Sequence, residues 1–287
     1  MLTLFTIPKP FRGHMDVIQR NAIQSWTLLR PRCDILLFGD DLGVGAAAAE
    51  FGVRHVADIA RNEYGTPLIN DVFAQAERLA ANSTLCYINA DIIVMHDLIE
   101  AIARIRRSRY LLLGQRWDLD LMVPWDFSQP AWDAKLRADV QLRGKLHSYM
   151  GVDYYVFPRE LWGTLPPFAV GRTTYDNWLI WRARALGVPV IDATRVVTCI
   201  HQNHERTYSV LDRQSPDGGD DVTKGVEARR NLDLAGGRQH VFTLRNANWV
   251  LTRRALFPAL KPRYLLARLT SRLRLMLSTL TRRTEAR

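Results

Sequence analysis

Through its first hundred residues the chain alternates short apolar runs with stretches of helical period. Residues 2–7 (LTLFTI) read as a strand, and Pro8, Pro10 and Gly13 punctuate the loop that follows. Residues 15–29 carry Val17, Ile18, Ala22, Ile23 and Trp26 at helical spacing. DILLF (34–38) is a short buried strand ending in Gly39-Asp40-Asp41. A helix over 46–51 and a strand over 53–56 come next. A helix over 67–81, marked by Leu68, Val72, Ala76 and Leu79, leads to a strand that ends in YINADIIV (87–94). The order β-α-β-α-β-α-β predicts an α/β fold, a mostly parallel central sheet flanked by helices. Ligands of such sheets bind beyond the carboxyl ends of the strands. Asp40, Asp41 and the Asn89-Ala90-Asp91 triplet stand at such ends and are expected to converge.

The triplet is out of place in its surroundings. The rest of YINADIIV is as apolar as a buried strand, and an unpartnered carboxylate taken out of water costs several kcal/mol or becomes neutral. Three partners stand open for Asp91. They are the backbone of the next turn, an arginine such as Arg104 or Arg109, and a divalent metal, for which carboxylate oxygens are natural ligands. The second half of the chain is less regular. Strands are expected over 110–114, 151–157, 188–191 and 196–200, and helices over 132–142, 175–186 and 226–234. A strand or hairpin is expected over 241–251 and a polar loop over 215–221 (SPDGGDD). No internal repeat is present, and the two halves are expected to share one continuous sheet.

The 287 residues suffice to bury a sizeable core. The formal charge of +10 resembles a nucleic-acid signal until it is mapped. Residues 251–287 hold ten Lys or Arg against one acid, Glu285, so nearly all of the excess sits in that tail. The body is close to neutral, which argues against a nucleic-acid-binding module. In the tail Leu265, Leu269, Leu273, Met276 or Leu277, and Leu280 form one helical stripe beside Arg268 and Arg272. Residues 262–283 therefore suit an anionic membrane surface, or equally a docking site on the chain's own body or on a second subunit. No apolar run approaches a membrane span, and the apolar part of MLTLFTIPKPFRGH is too short for a secretory signal. Cys33, Cys86 and Cys199 are far apart and show no metal spacing. Reduced core cysteines and a cytoplasmic location, peripheral on the inner face of a membrane through the tail, are the expectation.

Three further features carry chemistry. Gly43-Val44-Gly45-Ala46-Ala47-Ala48 matches a loose dinucleotide fingerprint, but Asp40 and Asp41 before it would repel a pyrophosphate, so a turn into a helix explains it better. His201 and His204 follow a strand. Either they are structural, or one of them, His201 being nearer the strand end, joins Asp91 on a metal. No zinc spacing is present, and an oxygen-rich site with one imidazole suits Mn²⁺ or Mg²⁺. Asp176 opens a helix, where negative charge is favourable, or serves as a general base for an acceptor hydroxyl; both readings stand.

In their order, FTIPKPF, QRNAIQSW, GTPL, YINADII, GQRWD, GVDYYVFPR, YDNWLIWRAR and HQNH resemble the GT-A fold nucleotide-sugar glycosyltransferases over residues 2–204. That resemblance implies a Rossmann-like domain over 1–250, with a donor-binding half (1–114) and an acceptor-side half (115–250), followed by a basic amphipathic helical tail (251–287). It implies transfer of a sugar from a nucleoside-diphosphate donor to a glycan or lipid-linked acceptor, with inversion, in bacterial cell-surface polysaccharide assembly. Asp40, with Asp41 as substitute, would contact the nucleotide base. Asn89-Ala90-Asp91 occupies the place of the family's D-x-D motif, with Asn at the first position. Asp91 would then hold Mn²⁺ or Mg²⁺, and Asn89 the ribose or a metal-bound water. His201 or His204 would complete the metal site, and Asp176, without the Glu that often precedes it, would be the base. Lys9, Gly65 and Thr66 fall on the donor side, and Arg116, Trp117 and Asp153 on the sugar or acceptor side. Two alternatives stay open: a nucleotidyltransferase, against which the glycine-poor loop IPKPFRGH argues, and a GT-A-like binding protein without activity.

Overall fold

A computed structural model describes residues 1–204, 225–259, 269–271 and 273. The first half runs β1 (Leu2–Thr6), α1 (Gly13–Thr27), β2 (Asp34–Phe38), α2 (Val44–Phe51), β3 (Arg54–Val56), α3 (Ile69–Leu79), β4 (Thr84–Ile88), β5 (Ile92–Val94), α4 (Asp97–Ala103) and β6 (Leu111–Leu113). The second half runs β7 (Trp117–Leu119), α5 (Trp132–Arg143), β8 (Lys145–Leu146), β9 (Tyr154–Pro158), α6 (Tyr175–Ala185), β10 (Val190–Asp192), β11 (Cys199–Gln202), α7 (Val226–Leu234), β12 (Trp249–Leu251) and β13 (Leu256–Pro258).

Nine strands form one sheet in the order β13-β12-β10-β6-β9-β4-β1-β2-β3. Its pairs are parallel except where β9 meets β4 and β6 and where β13 meets β12. Alternate residues along each strand face opposite layers. Phe5, Leu36, Phe38, Leu85, Tyr87 and Phe157 pack with Val72 and Phe73 of α3 and Trp178 of α6. Leu4, Ile35, Leu37, Cys86, Ile88 and Val156 pack with Ile23 and Trp26 of α1, Ala47 of α2 and Leu98 of α4. The predicted α/β architecture is therefore the observed one, a mostly parallel sheet between two helical layers.

The sequence reading needs two corrections. First, the apolar run ending in YINADIIV is not one strand. It breaks at Asn89-Ala90-Asp91, where the Ile92 amide turns back to the Asn89 carbonyl at 3.2 Å. Second, β5 leaves for a separate four-stranded sheet, β5-β11-β7-β8, which covers a small core of Ile93, Leu119, Leu136 and Ile200. The expected single sheet does take strands from both halves of the chain, but a second sheet stands beside it. Residues 241–251 resolve into a turn at Leu244–Asn246, capped by Thr243, and β12, whose hairpin partner β13 lies beyond them.

The polar loop predicted over 215–221 lies outside the described residues. So does most of the tail, whose residues 269–271 and 273 are helical. There Ser271 is buried and bonded to Asn246, while Leu269 and Leu273 are exposed. Among the described residues no helix is long and apolar enough to cross a membrane. The three cysteines are free and buried.

Candidate metal and donor site

Strand register assembles the site. The parallel strands β1, β2, β4 and β6 bring Lys9, Asp40, Asp41, Asn89 and Arg116 to one end of the large sheet, because each residue follows its strand. In the small sheet β11 pairs with β5 on one side and with β7 on the other, and His201 falls opposite both Ile92 and Asp118. Ile92 follows Asp91, so the register alone delivers His201 to Asp91 from more than a hundred residues away. His201 Nε2 lies 3.6 Å from Asp91 Oδ2, and His204 Nε2 lies 3.0 Å from the same oxygen. One ligand atom from each of Asp91, His201 and His204 can be chosen so that all lie within 4.8 Å of one another.

Buried polar groups of α1 hold this arrangement. Gln19 bonds both the amide and the carbonyl of Lys9, at 2.7 and 2.9 Å. Asn21 donates to Gln202 Oε1 at 2.9 Å, and Gln202 Nε2 donates to the carbonyls of Ile18 and Asp91. Trp26 Nε1 donates to the Ile92 carbonyl at 2.9 Å. Gln19, Asn21 and Trp26 of QRNAIQSW are thus the anchors of the loop after β1 and of the Asp91 turn. Within HQNH, Gln202 and Asn203 are structural, Asn203 being bonded to Asp120 and to the Leu119 carbonyl.

The charges decide between the readings left open for Asp91. Its side chain accepts from His204 and caps no backbone amide among the described residues, and Arg104 is spent on the Thr252 carbonyl. Asp91 Oδ1 is buried and has no hydrogen-bond partner there. Burial alone would raise the pKa of Asp91, but the bond from His204 and the charges of His201, His204 and Lys9 outweigh it and hold it at about 2. Burial lowers the pKa of His201 more than Asp91 raises it, so the imidazole is driven towards its neutral, metal-ligating form. An ionised carboxylate with one oxygen unused, beside two imidazole nitrogens, fits a divalent transition ion. Both imidazoles, rather than one, stand within reach of Asp91, and two such donors would favour Mn²⁺ over Mg²⁺.

A second ring of ionic groups orients the first. Asp118 Oδ1 stands 3.4 Å from His201 Nδ1, and Asp118 Oδ2 stands 2.6 Å from His147 Nδ1. Arg116 reaches Asp118 at 2.9 Å and the buried Asp153 at 2.8 Å, and Asn89 Nδ2 donates to Asp153 at 2.6 Å. Burial raises the pKa of Asp118, but His147 and Arg116 bring it below the ordinary carboxylate value. A carboxylate behind a ligating histidine fixes its ring and raises its basicity. Asn89, Arg116 and Asp153 therefore form the support behind the cluster. Trp117 alternates with Asp118 and packs on the small core, on the opposite face of β7, away from the sugar side proposed for it.

Asp176 lies in the first turn of α6, directly after Thr174, whose φ of +98° is a strained value for a residue with a Cβ. Burial pushes the Asp176 pKa up to about 6, aided by the nearby Asp153 charge and opposed by the amide of Asn177. Lys9 is within electrostatic reach of Asp91 and of Arg172, and Arg172 is itself held by Glu227 at 2.6 Å.

Asp40 and Asp41 share one partner that sequence reasoning missed, Arg61, at 2.9 Å from each. Arg61 also donates to the Gly65 carbonyl, and Gly65 takes a φ of +77° in a turn closed by Asn62, which receives the amide of Thr66. Gly65 and Thr66 thus form a turn joined through Arg61 to the end of β2. Gly43, from the rejected fingerprint, caps α2 at φ +85° with no room for a Cβ, which would stand 2.7 Å from Phe11 Cβ.

No protein-family model and no curated protein sequence matches the chain. Solved structures with a similar chain trace include a mannosyltransferase from Pyrobaculum calidifontis in complex with GDP-Man and Mn²⁺. It is 12% identical, with a TM-score of 0.46, over 72% of this chain and 58% of that one. Glucosyl-3-phosphoglycerate synthase from M. tuberculosis is similar at 12% identity and a TM-score of 0.46, over 83% of this chain and 81% of that one. Likeness at this level assigns no activity, which rests on the residues of the site.

Proposed function

We propose that this chain is a metal-dependent glycosyltransferase of the GT-A type. It would move a sugar from a nucleoside-diphosphate donor to a hydroxyl of a glycan or lipid-linked acceptor, with inversion, in cell-surface polysaccharide assembly. The observation that carries the reading is the half-buried Asp91–His201–His204 cluster, with Asp91 Oδ1 buried and unsatisfied among the described residues, at the carboxyl end of a mostly parallel sheet. Asp91, His201 and His204 would hold Mn²⁺. When bound, the ion supplies positive charge to the diphosphate leaving group.

The chain's own residues do the rest. Asp40 and Asp41, positioned by Arg61, offer carboxylates to the nucleotide base. The Gly65–Thr66 turn leaves space for the nucleotide, since nothing approaches the position of a Cβ on Gly65. Lys9 adds a cation on the leaving-group side. Asp153 and Arg116 fix Asn89 and Asp118, and through them the turn and the carboxylate that faces His201 Nδ1. Asp176, with a pKa near 6, is ionised at neutral pH and still basic enough to take the acceptor proton. Residues 1–250 act as one catalytic unit in this reading, with the donor on the 1–114 side.

The test is release of nucleoside diphosphate from a panel of nucleotide sugars, with Mn²⁺ and with chelator. Metal-dependent release by the wild type, lost in Asp91→Ala, is expected. Were no nucleotide sugar in the panel bound or cleaved with Mn²⁺ present, the reading would be wrong.

A further inference from the structure

One edge of the large sheet carries an arginine surface that the proposed reaction does not use. The segments 101–114 and 244–259 contain Arg104, Arg106, Arg107, Arg109, Arg245, Arg253 and Arg254, and neither contains an Asp or Glu. Two contacts press these segments together. Arg104 donates to the Thr252 carbonyl, and the Arg107 guanidinium stacks 4.2 Å from the centre of the Trp249 ring. Arg106, Arg107, Arg109, Arg253 and Arg254 are exposed, and among the described residues none of them pairs with a carboxylate. Like charges gathered without counter-charges repel one another and are relieved by an anionic partner.

The same edge exposes apolar groups. Phe257, in the β12–β13 hairpin, is 49% exposed. The tail returns to this edge through Ser271, bonded to Asn246 just before β12. That bond fixes which way the described residues 269–271 and 273 face. The polar Ser271 side is buried against the body, and Leu269 and Leu273 are 61% and 60% exposed. A helix docked on its own body for stability would present its leucines to the core. Here Leu269 and Leu273 are presented outward, on a segment tethered just before β12.

We infer that this edge, formed by the 104–109 loop, the β12–β13 hairpin and the outward side chains of Leu269 and Leu273, is a docking surface for an anionic lipid bilayer. Phosphate headgroups take the unpaired guanidiniums, and Phe257, Leu269 and Leu273 enter the headgroup–acyl boundary. The exposed apolar groups favour a bilayer over a nucleic acid, whose backbone gives leucines no apolar phase. The surface lies on elements that furnish no ligand to the metal cluster, so the inference stands or falls independently of the transferase reading.

The experiment is sedimentation of the full chain with vesicles of phosphatidylcholine alone, or of phosphatidylcholine and phosphatidylglycerol at about 7:3. Binding is expected only to the anionic vesicles, weakening as salt rises. Each arginine removed should weaken it roughly fivefold. Among the described residues the side chains of Arg106, Arg109, Arg253 and Arg254 hold no other group in place, so the fourfold Ser variant should keep the fold and lose more than a hundredfold in affinity. Leu269→Ser with Leu273→Ser should lose at least tenfold, whereas Arg78→Ser, on the far helical layer, should match wild type. No binding to anionic vesicles, or binding unaltered by the fourfold variant, overturns the inference. So does equal affinity for a single-stranded oligonucleotide that is insensitive to the leucine changes, which would mark a polyanion site instead.

Discussion

Asp176 joins an unfavourable position to the role proposed for it. The fold raises its pKa from the ordinary carboxylate value to about 6, so the folded chain prefers the protonated acid. Ionisation therefore subtracts stability as pH rises from about 4 to about 6, and above that range the full cost is present. Asp176→Asn removes the charge and keeps an oxygen for the Asn177 amide. The variant should be more stable than wild type at pH 7.5 by on the order of 1 to 2 kcal/mol, discounting for the side chain's partial exposure. The same variant should bind donor and lose turnover. Wild-type turnover should fall as pH drops through about 6, and a flat pH–rate profile down to pH 5 would remove Asp176 from the role of base.

Asp118 acts one contact further from the metal. Its carboxylate stands behind His201 Nδ1, and the corresponding change in other sites costs tenfold to a hundredfold in metal affinity. Asp118→Asn should show that loss in a Mn²⁺ titration followed by electron paramagnetic resonance, with circular dichroism unchanged. Single residues were legible in the sequence where an acid or histidine sat at the end of an apolar run, as with Asp40, Asp91 and His201. Asp118, His147 and Arg61 were not, because their importance comes from partners that only the register and the folded loops supply.

Among the elements, periodicity located most strands and helices but missed α4, β7, β8 and β13, and it did not show which sheet a strand joins. The apolar positions of YINADIIV suit either one long strand or two short ones. The deciding interactions are the Asn89 amide bonded to the Asp153 carbonyl and the antiparallel pairing of β5 with β11, and both are long-range. The polar positions of α1 were equally silent, since Gln19, Asn21 and Ser25 gain meaning only from the loop and strand they tether. The turn at Gly43 is a local feature with a sharp test. A Cβ there meets Phe11 at 2.7 Å and must also adopt a φ of +85°, whereas Gly65 at φ +77° has nothing within 4 Å. Gly43→Ala should cost about 2 to 4 kcal/mol by chemical denaturation, and Gly65→Ala only about 1. Equal costs would mean that the contact with Phe11 carries no energy.

At the scale of the whole molecule, two sheets meet at one end, and the cluster spans the join. Asp91 lies between the last strand of the β-α alternation and the first strand of the small sheet, while His201 belongs to the small sheet and His204 follows it. An ion held by these three residues therefore ties the two sheets together, and anything bound to that ion stabilises both. A ligand that binds only the folded chain adds about 2.7 kcal/mol at a hundredfold excess over its Kd, which for a chain of this size raises Tm by roughly 4 to 8 °C. On the proposed reading, in which the diphosphate would contact the ion, Mn²⁺ and a nucleoside diphosphate together should give a shift of that order, larger than the sum of the two given singly. Asp91→Ala should abolish the excess, and Asp176→Asn should keep it. If the diphosphate raised Tm equally in Mn²⁺ and in chelator, donor binding would not run through the Asp91 cluster, and the ion would serve only to join the sheets.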